Sequence, residues 1–169
     1  MDKVISAILL IIASVVGVGL VLNSALPAIG RASGAMSSSS SQVDTRIKTQ
    51  IQIIHTVGEL DQDGAWQDTN GDGYFNVFIW VKNIGAARIT DVEDCDIFLG
   101  QEGNFARIPY ASDTSGYPQW DFQVENGAEW VPGATMKFTV SYSSALAQGN
   151  YLVKVTTPSG NLDEDFFSM

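Results

Sequence analysis

The stretch Val4–Leu22, VISAILLIIASVVGVGLVL, decides how this chain is read. Its 19 residues carry no charge. As an α-helix it rises roughly 28 Å, close to the ~30 Å hydrocarbon core of a bilayer. Only Met1, Asp2 and Lys3 precede it. The run is longer than the apolar core of a secretory signal peptide, and it predicts a retained helix. Lys3 and the α-amino group before the span favour an N-terminus on the cytoplasmic side, only weakly because Arg31 lies just beyond it.

Helix-compatible sequence continues past the apolar run. Pro27 lacks an N–H and is expected to kink the helix. Beyond it, Ile29, Met36, Val43, Ile47, Ile51 and Ile54 recur at spacings that keep one helical face. The serine run Ser37–Ser41 lies inside this period and reads as helix rather than linker. We place the helical segment at residues 1–56 and an outer domain at 57–169. The alternation Ile51-Gln-Ile53 also fits the start of a strand.

From Gly58 the composition changes. ELDQDGAWQDTNGDG (59–73) is a Gly/Asp/Asn loop, and YFNVFIWVKNIG (74–85) is a strong strand closed by Asn-Ile-Gly. Further strands are expected at Arg88–Thr90, Asp96–Leu99, Phe105–Pro109, Gln119–Val124, Met136–Tyr142, Tyr151–Thr156 and Asp165–Ser168. About seven short strands with frequent turn signals predict an immunoglobulin-like antiparallel β-sandwich. The fold class is α+β.

Charge is uneven. The 169 residues sum to −10 at pH 7, and residues 42–169 hold 18 acids against 7 bases. Such a head is a poor nucleic-acid binder and suits a hydrated outer surface or one that attracts cations. Cys95 is the only cysteine, so no intrachain disulfide forms. The single histidine, His55, falls in the segment read as helical. No nucleophile–base set, phosphate loop or zinc spacing is present, so an enzyme is not expected.

The sharpest local motif is Asp68-Thr-Asn70-Gly-Asp72-Gly73-Tyr74. It fits the first half of a calcium loop, in which alternate oxygen side chains converge on one ion and a glycine permits the turn. Tyr74 is expected to offer its carbonyl, with Asn76, Asp61 and Asp63 completing a Ca2+ shell. Ile79 stands where a bidentate glutamate is usual. A plain Asx/Gly turn is the competing reading. The tryptophans Trp66, Trp80, Trp120 and Trp130 all lie in the head, as sandwich core or interface rather than a sugar platform.

The chain resembles archaellins, the archaeal flagellins of the type IV pilin superfamily. The resemblance rests on ISAILLIIASVVGVGLVLNSA (5–25), QVDTRIKTQIQIIH (42–55), VFIWVKNIGAARITDVEDCDIFLG (77–100) and YLVKVTTPSG (151–160). It implies a filament whose helices bundle inside and whose sandwiches face outward. It also implies a prepilin-type peptidase, an assembly platform and a basic leader. No basic stretch ending in Gly precedes Val4, so the chain reads as already mature or as carrying an atypical leader. Ile5 stands where many pilins carry glutamate.

These readings lead to an expected function: the major subunit of an extracellular, archaellum-type motility filament, membrane-inserted before assembly. In it, identical copies pack through Ile5, Ile8, Leu9, Ile12, Val16, Leu20 and Leu22. Two alternatives share the layout: a minor stator-like protein, anchored by one helix and touching the cell envelope, and an adhesive pilus subunit.

Overall fold

The structure, a computed structural model, describes residues 2–169. Two compact units divide it, Met1–Val43 and Asp44–Met169.

The first unit is the bulk of helix α1, Asp2–Lys48. The helix is continuous through Pro27 and through the serine run. At 47 residues it rises about 70 Å, well beyond a bilayer core. One segment of it is long and apolar enough to cross a membrane, and that window is unburied within the chain. Ser14 and Ser24 fold their hydroxyls back onto the carbonyls of Ile11 and Val21, which lets polar residues sit in an apolar helix without orphaned groups.

The second unit is a sandwich of two antiparallel four-stranded sheets. Its strands are β1 (Ile51–Gly58), β2 (Phe75–Asn83), β3 (Asp96–Gln101), β4 (Asn104–Ile108), β5 (Gln119–Val124), β6 (Thr135–Tyr142), β7 (Asn150–Thr156) and β8 (Leu162–Ser168). One sheet has the order β1-β2-β6-β5, the other β4-β3-β7-β8. The helix therefore ends before residue 56, and the Ile/Gln alternation belongs to β1. His55 lies in β1, not in helix, and stacks on Trp80 at 5.5 Å between ring centroids. Arg88–Thr90 forms no strand; Ile89 makes a single bridge to Trp130.

Period-two patterning builds the core. Val77, Ile79 and Val81 of β2, Met136, Phe138 and Val140 of β6, and Val153 and Val155 of β7 turn inward and are buried. Trp120 and Trp130 are buried with them, and both pack edge-on against Phe138. Their indole N–H groups have no hydrogen-bond partner among the described residues.

Both open sides of the sandwich are covered, which guards against edge-to-edge pairing. On one side β8 lies beside β1. Asp163 accepts the Ile53 N–H at 2.7 Å, next to a bulge between Ile53 and His55, and Asp165 accepts the Thr56 hydroxyl at 3.3 Å. On the other, the chain after β4 bridges β5, with the Trp120 N–H donating to the Pro109 carbonyl at 3.0 Å.

Candidate functional site

Two constructions stand out in the second unit: the seat of the last helical turn and the acidic loop between β1 and β2.

The last four carbonyls of a helix lack intrahelical donors. Here the β7–β8 turn, Thr157–Asn161, supplies one to Arg46 and holds Thr49 just beyond the helix. The Asn161 side-chain amide donates to the carbonyls of Arg46 at 2.6 Å and Thr49 at 2.9 Å. Arg46 reaches back to the Gly160 carbonyl at 2.6 Å, and the Thr49 and Ser159 hydroxyls share a 2.7 Å hydrogen bond. From the other side, Ala87 N–H donates to the Lys48 carbonyl, while Ile84 and Gly85 N–H both donate to Gln50. Gly85 ends the Asn-Ile-Gly signal for a steric reason. A Cβ there would sit 2.1 Å from the Lys48 carbonyl oxygen. The helix end is thus fixed to both sheets, by side-chain bonds on the β7–β8 side and by backbone bonds on the β2 side. The sequence marked Gly85 as the end of a strand; that it meets the β7–β8 turn at the helix end depends on the sandwich.

In the acidic loop, the two Asp68 oxygens accept the Gly71 and Gly73 N–H groups at 2.7 and 3.0 Å. Asp72 accepts the Tyr74 N–H at 2.8 Å and the amides of Asn70 and Asn76 at 2.7 and 2.9 Å. The Asn76 oxygen accepts the Ser141 hydroxyl. Asp61 turns to its own hairpin and caps the Asp63 and Ala65 N–H groups. The structure therefore joins Asp68, Asn70, Asp72 and Asn76 in one network but holds Asp61 in a separate turn. Among the described residues no three His, Cys, Asp or Glu side chains cluster as metal ligands. As it stands the network is a set of Asx turns, in which the Asp68 and Asp72 carboxylates accept N–H groups and keep further lone pairs. Burial pulls the Asp72 carboxyl upward, but the Tyr74, Asn76 and Asn70 hydrogen bonds outweigh it and hold it below 3.8.

One residue in this region gave no signal in sequence. Glu59 is 3 % exposed, and its carboxylate accepts both the N–H and the hydroxyl of Thr69, and both the N–H and the side-chain amide of Asn76. It pins the loop to the start of β2. Cys95 is buried, and burial, with Asp96, Asp94 and Glu93 nearby, pushes its thiol up to about 12. It is not poised as a nucleophile. Trp66 is largely exposed, whereas Trp80 is half-buried and donates to Glu125 at 3.1 Å.

The helix residues named for packing, Ile5, Ile8, Leu9, Ile12, Val16, Leu20 and Leu22, are all exposed within the chain.

The archaeal-type flagellin family model matches residues 2–164. The chain is 30% identical to an uncharacterized protein of Archaeoglobus fulgidus, over 98% of each. Among solved structures it is similar to the archaellum periplasmic stator protein FlaG from Sulfolobus acidocaldarius, with a TM-score of 0.53 and 22% identity over 70% of this chain and 99% of that one. It is also similar to a chain of the FlaF–FlaG stator complex from the same organism, with a TM-score of 0.51 and 24% identity over 70% and 89%. At these identities the solved structures establish the shared fold. The family match covers nearly the whole chain, and the chain belongs to the archaeal-type flagellin family.

Proposed function

We propose that this member of the archaeal-type flagellin family is a stator-like structural protein of an archaellum, anchored by α1, with its sandwich bearing on the cell envelope. The observation that carries this reading is the likeness of its fold to a periplasmic stator protein matched over 99% of that protein's length. The chain's own physics supports it. An anchor needs one apolar span, which Val4–Leu22 supplies. The last turn of the helix, from Asp44, belongs to the same unit as the head, and Asn161, Arg46 and Gly85 hold that turn there through short hydrogen bonds and backbone contact. The acidic outer surface keeps the head hydrated and soluble.

A second reading, the filament subunit, is favoured by one observation. The helix continues unbroken to Lys48, and Met36, Val43 and Ile47 are exposed apolar residues beyond any bilayer span. Helices stacked in a filament core would cover them.

The test is location and copy number. Cells producing the chain are sheared, and quantitative mass spectrometry compares sheared filaments with the membrane fraction. The anchored reading expects the chain in the membrane fraction, at no more than trace level in filaments. A filament preparation composed mainly of this chain overturns it in favour of the subunit reading.

A further inference from the structure

The outward face of the β4-β3-β7-β8 sheet carries two rows of side chains that are complementary to themselves. One row crosses all four strands as Phe105, Gly100, Leu152 and Phe166. Phe105 and Phe166, at its ends, are 46% and 59% exposed. Leu152 is buried yet stands outside the inter-sheet core. The neighbouring row reads Arg107, Phe98, Lys154 and Glu164. With Asp96 beside Arg107, this face holds two acids and two bases, on a chain of net charge −10. It is a neutral, apolar area on an acidic head, where a second head meets the least repulsion.

We infer that this face pairs with the same face of a second copy, about a two-fold axis parallel to the strands and between β3 and β7. That operation lays each row on itself in reverse. Phe105 meets the partner's Phe166, and the partner's Leu152 lies over Gly100, which adds no side chain of its own and is flanked by the Asn104 carbonyl and Phe105 of its own chain. Arg107 meets the partner's Glu164, and Phe98 lies under the partner's Lys154, a cation–π arrangement. The other in-plane two-fold, perpendicular to the strands, sets Arg107 and Glu164 on phenylalanines and is disfavoured. Sheets packed face to face tolerate the modest rotation that strand twist imposes.

Four strands make a patch roughly 20 Å across. That is below the ~800 Å² per partner of a standard interface, so the pair is weak and calls for covalent trapping. A closed pair does not propagate and accords with the anchored reading. The two proposals fail separately, because fractionation reads location and cross-linking reads pairing.

The experiment uses the full chain in detergent micelles and a short bismaleimide. Phe105→Cys chains are mixed with Phe166→Cys chains, and each is also treated alone. Cys95 is buried and does not compete. The expected result is a linked dimer from the mixture and little from either variant alone. In the linking background, R107E or E164R carried on both chains is expected to lower the yield about tenfold by facing like charges. With R107E on one chain and E164R on the other, every facing pair is again one acid and one base, and the yield returns. No linked dimer from the mixture overturns the proposal. So does equal linking by either cysteine variant alone, or a yield indifferent to the charge reversals in chains that keep their circular dichroism and melting temperature.

Discussion

The side-chain amide of Asn161 donates to the Arg46 carbonyl at 2.6 Å and to the Thr49 carbonyl at 2.9 Å, tying a turn near the end of the chain to the last turn of a helix that starts at residue 2. Asn161→Ala removes these bonds and one to the Thr49 hydroxyl. The expected cost is about 1–2 kcal/mol, that of a lost helix cap with part-buried partners. Chemical denaturation of the full chain in detergent, read by tryptophan fluorescence, measures it. Hydrogen exchange should quicken at residues 46–50 while β2 and β6 stay protected.

Gly85 tests the same seat from the other side. Gly85→Ala forces a Cβ against the backbone of Lys48 and Gln50, which cannot rotate away. The expected loss is about 2–3 kcal/mol, the range for overpacking. Gly71→Ala is a useful contrast. Nothing lies near its Cβ, so only its positive φ of 76° is paid for. A Gly85→Ala chain as stable as wild type would show that the seat is loose.

Glu59 ought to be the costliest polar residue to truncate. Glu59→Ala leaves donors from Thr69 and Asn76 unmatched in a buried place, an expected loss of about 3 kcal/mol or more. Glu59→Gln keeps the shape and one acceptor, and should cost less. Thermal melting of the two variants against wild type gives the order.

The Asp72 hydrogen bonds hold the folded-state carboxyl below 3.8. A depressed carboxyl contributes stability above its unfolded value and loses it as pH falls through the folded one. The loop should therefore hold at neutral pH and loosen only as pH falls through the acid range below the ordinary aspartate value, with Asp72→Asn abolishing that step. Amide exchange at Tyr74 against pH reads it directly. Because the N–H bonds to Asp68 and Asp72 order the loop by themselves, chelator should leave the melting temperature unchanged. A rise in melting temperature that needs millimolar calcium would mark the loop as a weak site of the extracellular kind.

What was legible in the sequence had a period. Phe138, Val140 and their polar neighbours alternate, so β6 was visible. The helix was visible because nineteen uncharged residues admit little else. Ile51 and Ile54 satisfied both a helical face and a strand, and local pattern cannot choose between them. The choice is made by Ile84 and Gly85, more than thirty residues on, which bond to Gln50 and end the helix. Glu59 looked like one acid among many beside a loop, since its burial depends on donors 10 and 17 residues away. The row from Phe105 to Phe166 is invisible without the register of three strand pairs. Arg88–Thr90 misled because Ile89 has strand chemistry but finds only one partner, Trp130.

The helix itself offers the sharpest separation of the two functional readings. In the anchored reading only the first half of α1 meets lipid. Leu9→Asp places a charge at mid-span, at a cost of about 3 kcal/mol on insertion scales, and should shift the chain out of the membrane fraction. Val43→Glu lies well past the span, where the side chain is exposed, and should leave membrane retention and head stability as they are. In a filament core both positions are covered by neighbouring helices, and both substitutions would stop assembly. Membrane flotation of the two variants, beside electron microscopy of sheared material, reads the difference. Retention of Val43→Glu with loss of Leu9→Asp is the expected outcome. Failure of both, with wild-type filaments present, transfers the chain to the filament.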